Sequence, residues 1–281
     1  MKKIVWLASY PKSGNTWFRI FLSHLIMDHD LHFVNVNNQL YTPISSAREI
    51  LERYTGFESS LLTHDEVDNL RREVYLREAE EHGGRFLFKK CHDAYFKAPD
   101  GEWMFPAEAT KCCIYLIRNP LDVAVSLSFH NGAGMDQAVS QINASGYGLC
   151  SGKNTCFNQL RQRMGTWGEH AASWVDAPGI HVHIMRYEDM KTDTVETFFK
   201  TIEFIGLKRA KEDVEKALEL SSMNKLKKYE QEYGFREKPA NAKSFFRKGK
   251  TGDWQDQLTK DQVQSIIHTN GDVMKRFGYL D

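Results

Sequence analysis

The stretch ASYPKSGNTW, residues 8–17, puts a lysine, a serine, a glycine and a threonine within five positions, directly behind the apolar run Ile4-Val5-Trp6-Leu7. These residue types hold anions. Gly14 lets the backbone turn close to a ligand. The amides from Ser13 through Asn15 to Thr16, together with the Thr16 hydroxyl, can form a nest for a phosphate. The common phosphate loop, G-x-x-x-x-G-K-[ST], sets its lysine after the last glycine. Here Lys12 comes before Gly14, which would put it ahead of the nest, beside the distal group of the ligand. The bland alternative for the stretch alone is a tight turn with a solvated lysine, but the motif favours the phosphate site.

Three further stretches carry related chemistry. In RNPLDVAVS, Arg118 and Ser126 are spaced to form a second anion clamp, with the guanidinium fork as its strong partner. Pairing of Arg118 with Asp122 explains that arginine equally well. In FRKGKTGDW, Arg247, Lys248 and Gly249 offer two cations and a flexible backbone to another phosphate, although solvated basic loops are the commoner origin of charge runs. In KKCHD, His92 follows an apolar run. A histidine titrates near neutrality and can accept a proton, but a lone one is more often structural.

The elements that must position these residues follow from periodicity. KKIVWLAS, RFLFKKC, KCCIYLI and IHVHIMRY read as buried strands. TWFRIFLSHLIM, PLDVAVSLSFH, FNQLRQRMGTWGEHAASWV, VETFFKTIEFIGL and TKDQVQSIIHTNGDVMKRFG read as helices, the last with Gly271 as a weak point. THDEVDNLRREVYLREAEEHGG reads as a helix capped by Thr63 and Glu66 and stopped at Gly83. Strands alternating with helices predict an α/β fold: one domain over 1–281, with a mostly parallel central sheet flanked by helices. The first strand, loop and helix form a P-loop-like unit whose helix amides point at an anion. Residues 132–158 are predicted as an irregular excursion or lid, and 234–254 as a flap over the nucleotide site.

Lys+Arg and Asp+Glu each number 37, so no global field draws the chain to nucleic acid or membrane and any anion site must be local. The apolar start is too short for a signal peptide and no segment approaches membrane-spanning length, so a cytoplasmic location is expected. The five cysteines are an odd number, and His and Cys nowhere show zinc spacing, so no metal is expected. Cys150 and Cys156 are spaced to pair, but a reducing compartment disfavours it.

Taken together, the motifs resemble the cytosolic-type sulfotransferases, which use 3′-phosphoadenosine 5′-phosphosulfate (PAPS) as sulfonate donor and release 3′,5′-ADP. YPKSGNTW looks like their 5′-phosphosulfate loop, RNPLDVAVS like their 3′-phosphate motif, and FRKGKTGDW like their late R-K-G-x-x-G-D-W signature. The details SYPKSGNTW and GTWGEHAASW are more similar to bacterial members than to animal ones. The resemblance implies that His92 is the general base, that Lys12 stabilises the oxygen bridging phosphate and sulfonate, and that Lys90 helps hold the transferring sulfonate. Strand alternation puts Lys90 and His92 on one face and Lys89 on the other. Ser126 would contact the 3′-phosphate and restrain Lys12. Arg118, Arg247, Lys248 and the Gly249 amide would complete that site, Trp17 would stack on adenine, and Tyr187, Ser221 and Met223 would line the nucleotide pocket. Asn15 stands where a threonine is common and keeps a donor for the phosphate. The animal dimer motif K-x-x-x-T-V-x-x-x-E has no good counterpart in QDQLTKDQVQ, so a homodimer would use another surface.

The acceptor is expected to be a small hydroxylated organic molecule. Its pocket would draw on residues 33–60, on Tyr95 and Phe96, and on 129–158, with Phe129, His130 and Tyr147 as candidates. Two rival readings remain. A P-loop kinase is opposed by the placement of Lys12 and by the lack of a clear metal-binding aspartate after a hydrophobic strand. A binding module that has lost catalysis is opposed by the presence of both Lys12 and His92.

Overall fold

The computed structural model describes residues 2–27, 37, 40, 42–152, 155–239 and 242–281. Its strands are β1 (Ile4–Ser9), β2 (Leu87–Cys91), β3 (Thr110–Ile117), β4 (Gly148–Leu149), β5 (Gln162–Arg163) and β6 (Val182–Arg186). Four of them form a parallel sheet in the order β2-β1-β3-β6, while β4 and β5 make a small antiparallel pair. The four long strands are those expected from the apolar runs.

All six residues of β1 are buried, as a central strand covered on both faces must be. Side-chain alternation divides its packing. Ile4, Trp6 and Ala8 enter a core with Phe105, Trp167 and Trp174. Val5 and Leu7 enter the opposite core with Phe18, Phe21, Phe198 and Ile202. The chain leaves β1 for β2 on one side and later returns to β3 on the other. The crevice at the carboxyl end of β1 is therefore where strand order reverses, the place open α/β sheets bind ligands.

The helix His64–Glu81 has the expected capping box, Thr63 with Glu66, and caps at His82, one residue before the expected glycine. The helix Lys260–Arg276 runs unbroken through Gly271. Two expectations fail. Residues 157–166 are not helical: the helix covers only Trp167–Val175, begun by a capping box of Thr166 and Glu169. The chain before it is bonded instead to 46–48 and, through β5, to β4. The 132–158 excursion is not irregular throughout, because it contains the helix Met135–Asn143, which buries Ala138, Val139 and Ile142. Residues 153 and 154 of the excursion, 240 and 241 of the flap, and 33–36, 38, 39 and 41 of the acceptor segment lie outside the described residues. All five cysteines are free thiols, Cys150 and Cys156 included. Among the described residues, no helix is long and apolar enough to cross a membrane.

Candidate functional site

The turn after β1 is shaped by backbone sterics. Lys12 has a φ of 71° and Gly14 a φ of 97°. A non-glycine residue in the left-handed region is uncommon and clusters at functional turns. At Gly14, a Cβ would lie 2.8 Å from the Tyr187 ring, so only glycine fits. The helix Asn15–Ile26 starts there with no acidic residue in its first turn, leaving its positive end available to an anion.

The turn opens on a cavity of about 1170 Å³, and every nucleotide or catalytic candidate named from the sequence lines it except Ser13 and Ser221. Ser13 is buried with an unpartnered hydroxyl, and the Ser221 hydroxyl donates to the Ala217 carbonyl. Asn15 lines the cavity, but its side-chain amide keeps no proton for a phosphate. Its Nδ2 donates to the Leu7 carbonyl at 2.8 Å and to Ser9 Oγ at 3.1 Å, tying the turn to the strand end. The Trp17 ring packs 5.2 Å from Phe198 and 6.4 Å from Tyr187.

Arg118 joins the turn to the late flap. It donates to the Lys12 carbonyl at 3.3 Å and the Lys250 carbonyl at 2.9 Å, and stacks over Tyr187. Its nearest Asp122 oxygen is 3.9 Å away, while that carboxylate accepts the amides of Gly252 and Trp254. Asp122 therefore fastens the flap more than it occupies Arg118. On the flap, Asp253 holds Arg247 at 2.7 Å and Lys248 at 2.6 Å. At Gly249 a Cβ would meet Met223 at 2.6 Å.

At the end of β2, alternation separates the two lysines. Lys89 Nζ is buried against Glu78 at 2.6 Å, whereas Lys90 faces the cavity. The His92 ring is fixed in one tautomer. Its Nδ1 is 2.9 Å from the Ser9 carbonyl, which only accepts, so Nδ1 carries the proton and Nε2 the lone pair. The backbone on either side is held firmly. His170 donates to the His92 carbonyl, and Asp93 takes two bonds from buried Arg71 at 3.1 and 2.6 Å. Burial, then Lys90, hold the His92 pKa down to about 3, so the ring is neutral at pH 7.

Two side chains complete the centre. Lys12 Nζ is 3.1 Å from His130 Nδ1 and 4.5 Å from the centre of the Phe245 ring. Burial, followed by Lys90 and Arg118, lowers its pKa to about 7. Glu237, which sequence reasoning missed, bonds Arg19 at 2.8 Å, Lys90 at 3.3 Å and the Thr16 hydroxyl at 3.4 Å. Burial alone would raise its pKa, but Lys90 and Arg19 more than offset this and hold it at about 2. Burial lowers Lys90 in turn to about 8 despite Glu237. Nothing local in the sequence marks Glu237; the signal was only its place in the basic flap.

Among the acceptor candidates, His130 and Tyr147 line the cavity. Tyr95 is stacked on Trp103, Phe96 lies under Arg163, and Phe129 is half-exposed beneath Arg247. These three pack elsewhere because each ring already has an aromatic or cationic partner.

Residues 2–278 match the family model described as Sulfotransferase domain. Flavonol 3-sulfotransferase of Flaveria bidentis is 26% identical over 283 residues, spanning 93% of this chain and 78% of that protein. Sulfotransferase 2A2 of Mus musculus is 30% identical over 264 residues, spanning 92% and 80%. Among solved structures, mouse sulfotransferase SULT7A1 complexed with PAP aligns with a TM-score of 0.59 at 21% identity, covering 98% of this chain and 84% of that one.

Proposed function

The chain belongs to the sulfotransferase domain family, and from that premise we propose that it transfers the sulfonate of PAPS to a hydroxyl of a small organic acceptor, with His92 as general base. The observation that carries this reading is convergence. Arg118 bonds Lys12, 106 positions before it, and Lys250, 132 positions after it, so three distant motifs share one cavity.

The residues present suit a nucleotide that is anionic at both ends of its ribose. At Gly14 and Gly249 a Cβ would collide with Tyr187 and Met223, so both turns pack closely against the side chains proposed to line the nucleotide. Cations outnumber carboxylates around the cavity, and the buried Arg118 Nε has no partner. The amides from Ser13 to Trp17 and the Thr16 hydroxyl would hold the 5′ end. Arg118, Ser126, Arg247, Lys248 and the Gly249 amide would hold the 3′-phosphate, with Trp17, Tyr187 and Met223 lining the base and ribose.

PAPS supplies an activated sulfonate, whose bond to the 5′-phosphate oxygen is the one that breaks. The chain's own part is electrostatic and acid–base. Lys12, while protonated, neutralises charge on the departing oxygen, and Lys90 holds the moving group; such fixed charge in a dry site is usually the largest catalytic term. His92 presents the Nε2 lone pair to an acceptor hydroxyl, with Ser9 holding the tautomer. Burial first, and then Lys90 beside it, keep its basicity low. An anion bound to Lys90 offsets the second of these and raises the basicity by that part.

Outside the nucleotide set, the cavity is lined by Ile44, Arg48, Glu49, Tyr147, Leu149 and Gln159, a mixture suited to a hydroxylated organic molecule. A relative named for a flavonol makes phenols the first class to test. Donor carrying radiolabelled sulfonate, offered with phenols, alcohols and sugars, should pass label to one class with equal release of 3′,5′-ADP. A chain that neither binds 3′,5′-ADP nor turns over PAPS would refute the reading.

A further inference from the structure

The catalytic reading of Lys12 leaves open what holds its ammonium. Ser126 was expected to do so. The hydrogen bond described for Lys12 Nζ goes instead to His130 Nδ1, 3.1 Å away and one helical turn beyond Ser126. Both residues lie on the helix Pro120–Asn131, and positions four apart share a face. Phe245 completes the arrangement, its ring 4.5 Å from Lys12 Nζ and edge-to-face with His130 at 5.8 Å.

We propose that His130 is a positioning residue for Lys12, its neutral Nδ1 accepting one ammonium proton and fixing the lysine against Phe245 at the mouth of the phosphate turn. This rests on the functional reading above and adds a residue to it. A neutral acceptor suits the place. A carboxylate in direct contact would cancel the charge that Lys12 has to present, whereas an imidazole lone pair orients the ammonium and leaves its charge intact. His130 stays neutral because burial, then Lys12 and Lys90, lower its pKa to about 4. Lys90, Arg118 and Arg247 all disfavour the Lys12 ammonium and Glu237 favours it, so the proton given to His130 is one contact that keeps it charged. The strained backbone of Lys12, with its positive φ, fits a side chain whose direction is specified.

The test needs His130→Ala and His130→Asn, the second keeping an acceptor oxygen near the position of Nδ1. Amine-directed acetylation of Lys12 in the nucleotide-free protein, followed by mass spectrometry at pH 6, reads the lysine directly. Loss of a hydrogen bond to a charged group should lower the Lys12 pKa by about one unit, raising labelling about fivefold in His130→Ala and much less in His130→Asn. Hydrolysis of labelled PAPS at saturating donor, with no acceptor added, should fall about 10- to 100-fold in His130→Ala and recover in His130→Asn, while 3′,5′-ADP affinity changes less than about threefold. Unchanged labelling in His130→Ala would overturn the proposal. So would an asparagine variant no better than alanine, since ring bulk rather than the acceptor would then matter. If the parent protein fails to bind 3′,5′-ADP, the functional reading falls, while the labelling still decides the Lys12–His130 contact.

Discussion

Glu237→Gln is the substitution with the sharpest quantitative consequence. The Glu237 carboxylate sits among Arg19, Lys90 and Thr16, groups that face the same cavity as the phosphate turn. It is an internal anion in a site read as binding an external one. Holding its pKa at about 2 against the usual 4.5 corresponds to about 3 kcal/mol in favour of the charged form. The sign follows: that stability is present above pH 4.5 and is lost as pH falls through about 2. Glutamine keeps the shape and an acceptor oxygen but removes the charge. Arg19 would keep its bonds to Thr42 Oγ1 at 2.6 Å and the Thr42 carbonyl at 3.3 Å, so the loss of folding stability should be about 1–2 kcal/mol. The freed positive charge should favour the nucleotide. If half of the 3 kcal/mol passes to the ligand, 3′,5′-ADP affinity rises about tenfold. Isothermal titration with 3′,5′-ADP and urea unfolding measure the two quantities. Weaker nucleotide binding in Glu237→Gln would refute the reasoning, because Glu237 would then organise the site rather than compete for it.

With Lys12 at about 7 and Lys90 at about 8, both lowered first by burial, kcat/KM for PAPS should fall as pH rises through 7 to 8 while these ammonium groups lose their protons. His92, at about 3, adds no acid limb above pH 5, so a rate–pH profile flat from 6 to 9.5 would contradict these values. Arg247→Ala should weaken 3′,5′-ADP by about 10- to 100-fold and leave 5′-AMP nearly unchanged, as read by competition titration; equal losses for both would remove Arg247 from the 3′-phosphate site. Lys89→Met, which strands the buried Glu78 carboxylate, should cost about 3–5 kcal/mol in urea unfolding and leave 3′,5′-ADP affinity intact at low denaturant.

What the sequence made legible is what short-range pattern encodes. Five apolar residues, Ile4 to Ala8, before a turn marked β1, and the Thr63–Glu66 spacing marked a helix start that the structure reproduces with both capping bonds. The Lys89–Lys90 division followed from strand alternation alone. Residues 157–166 were misread because their apolar spacing suits a helix, while the competing bonds, from Leu160 to the Ser46 carbonyl and between β5 and β4, come from distant chain. Asn15 was misjudged for a similar reason: an amide beside a phosphate turn looks free until the strand end it ties down is known. Glu237 and Lys90 lie 147 positions apart, and Lys12 and His130 lie 118 apart. No periodicity links them, so the centre's internal charge balance emerged only from the fold.

A crystal structure with 3′,5′-ADP bound would decide whether the three motifs form one nucleotide site. The 5′-phosphate should lie on the amides of the Lys12–Trp17 turn, and the 3′-phosphate between Arg118, Ser126 and the Arg247–Gly249 flap. A nucleotide bound elsewhere, or one touching the early turn while the late basic flap holds nothing, would mean that the motifs do not share a site.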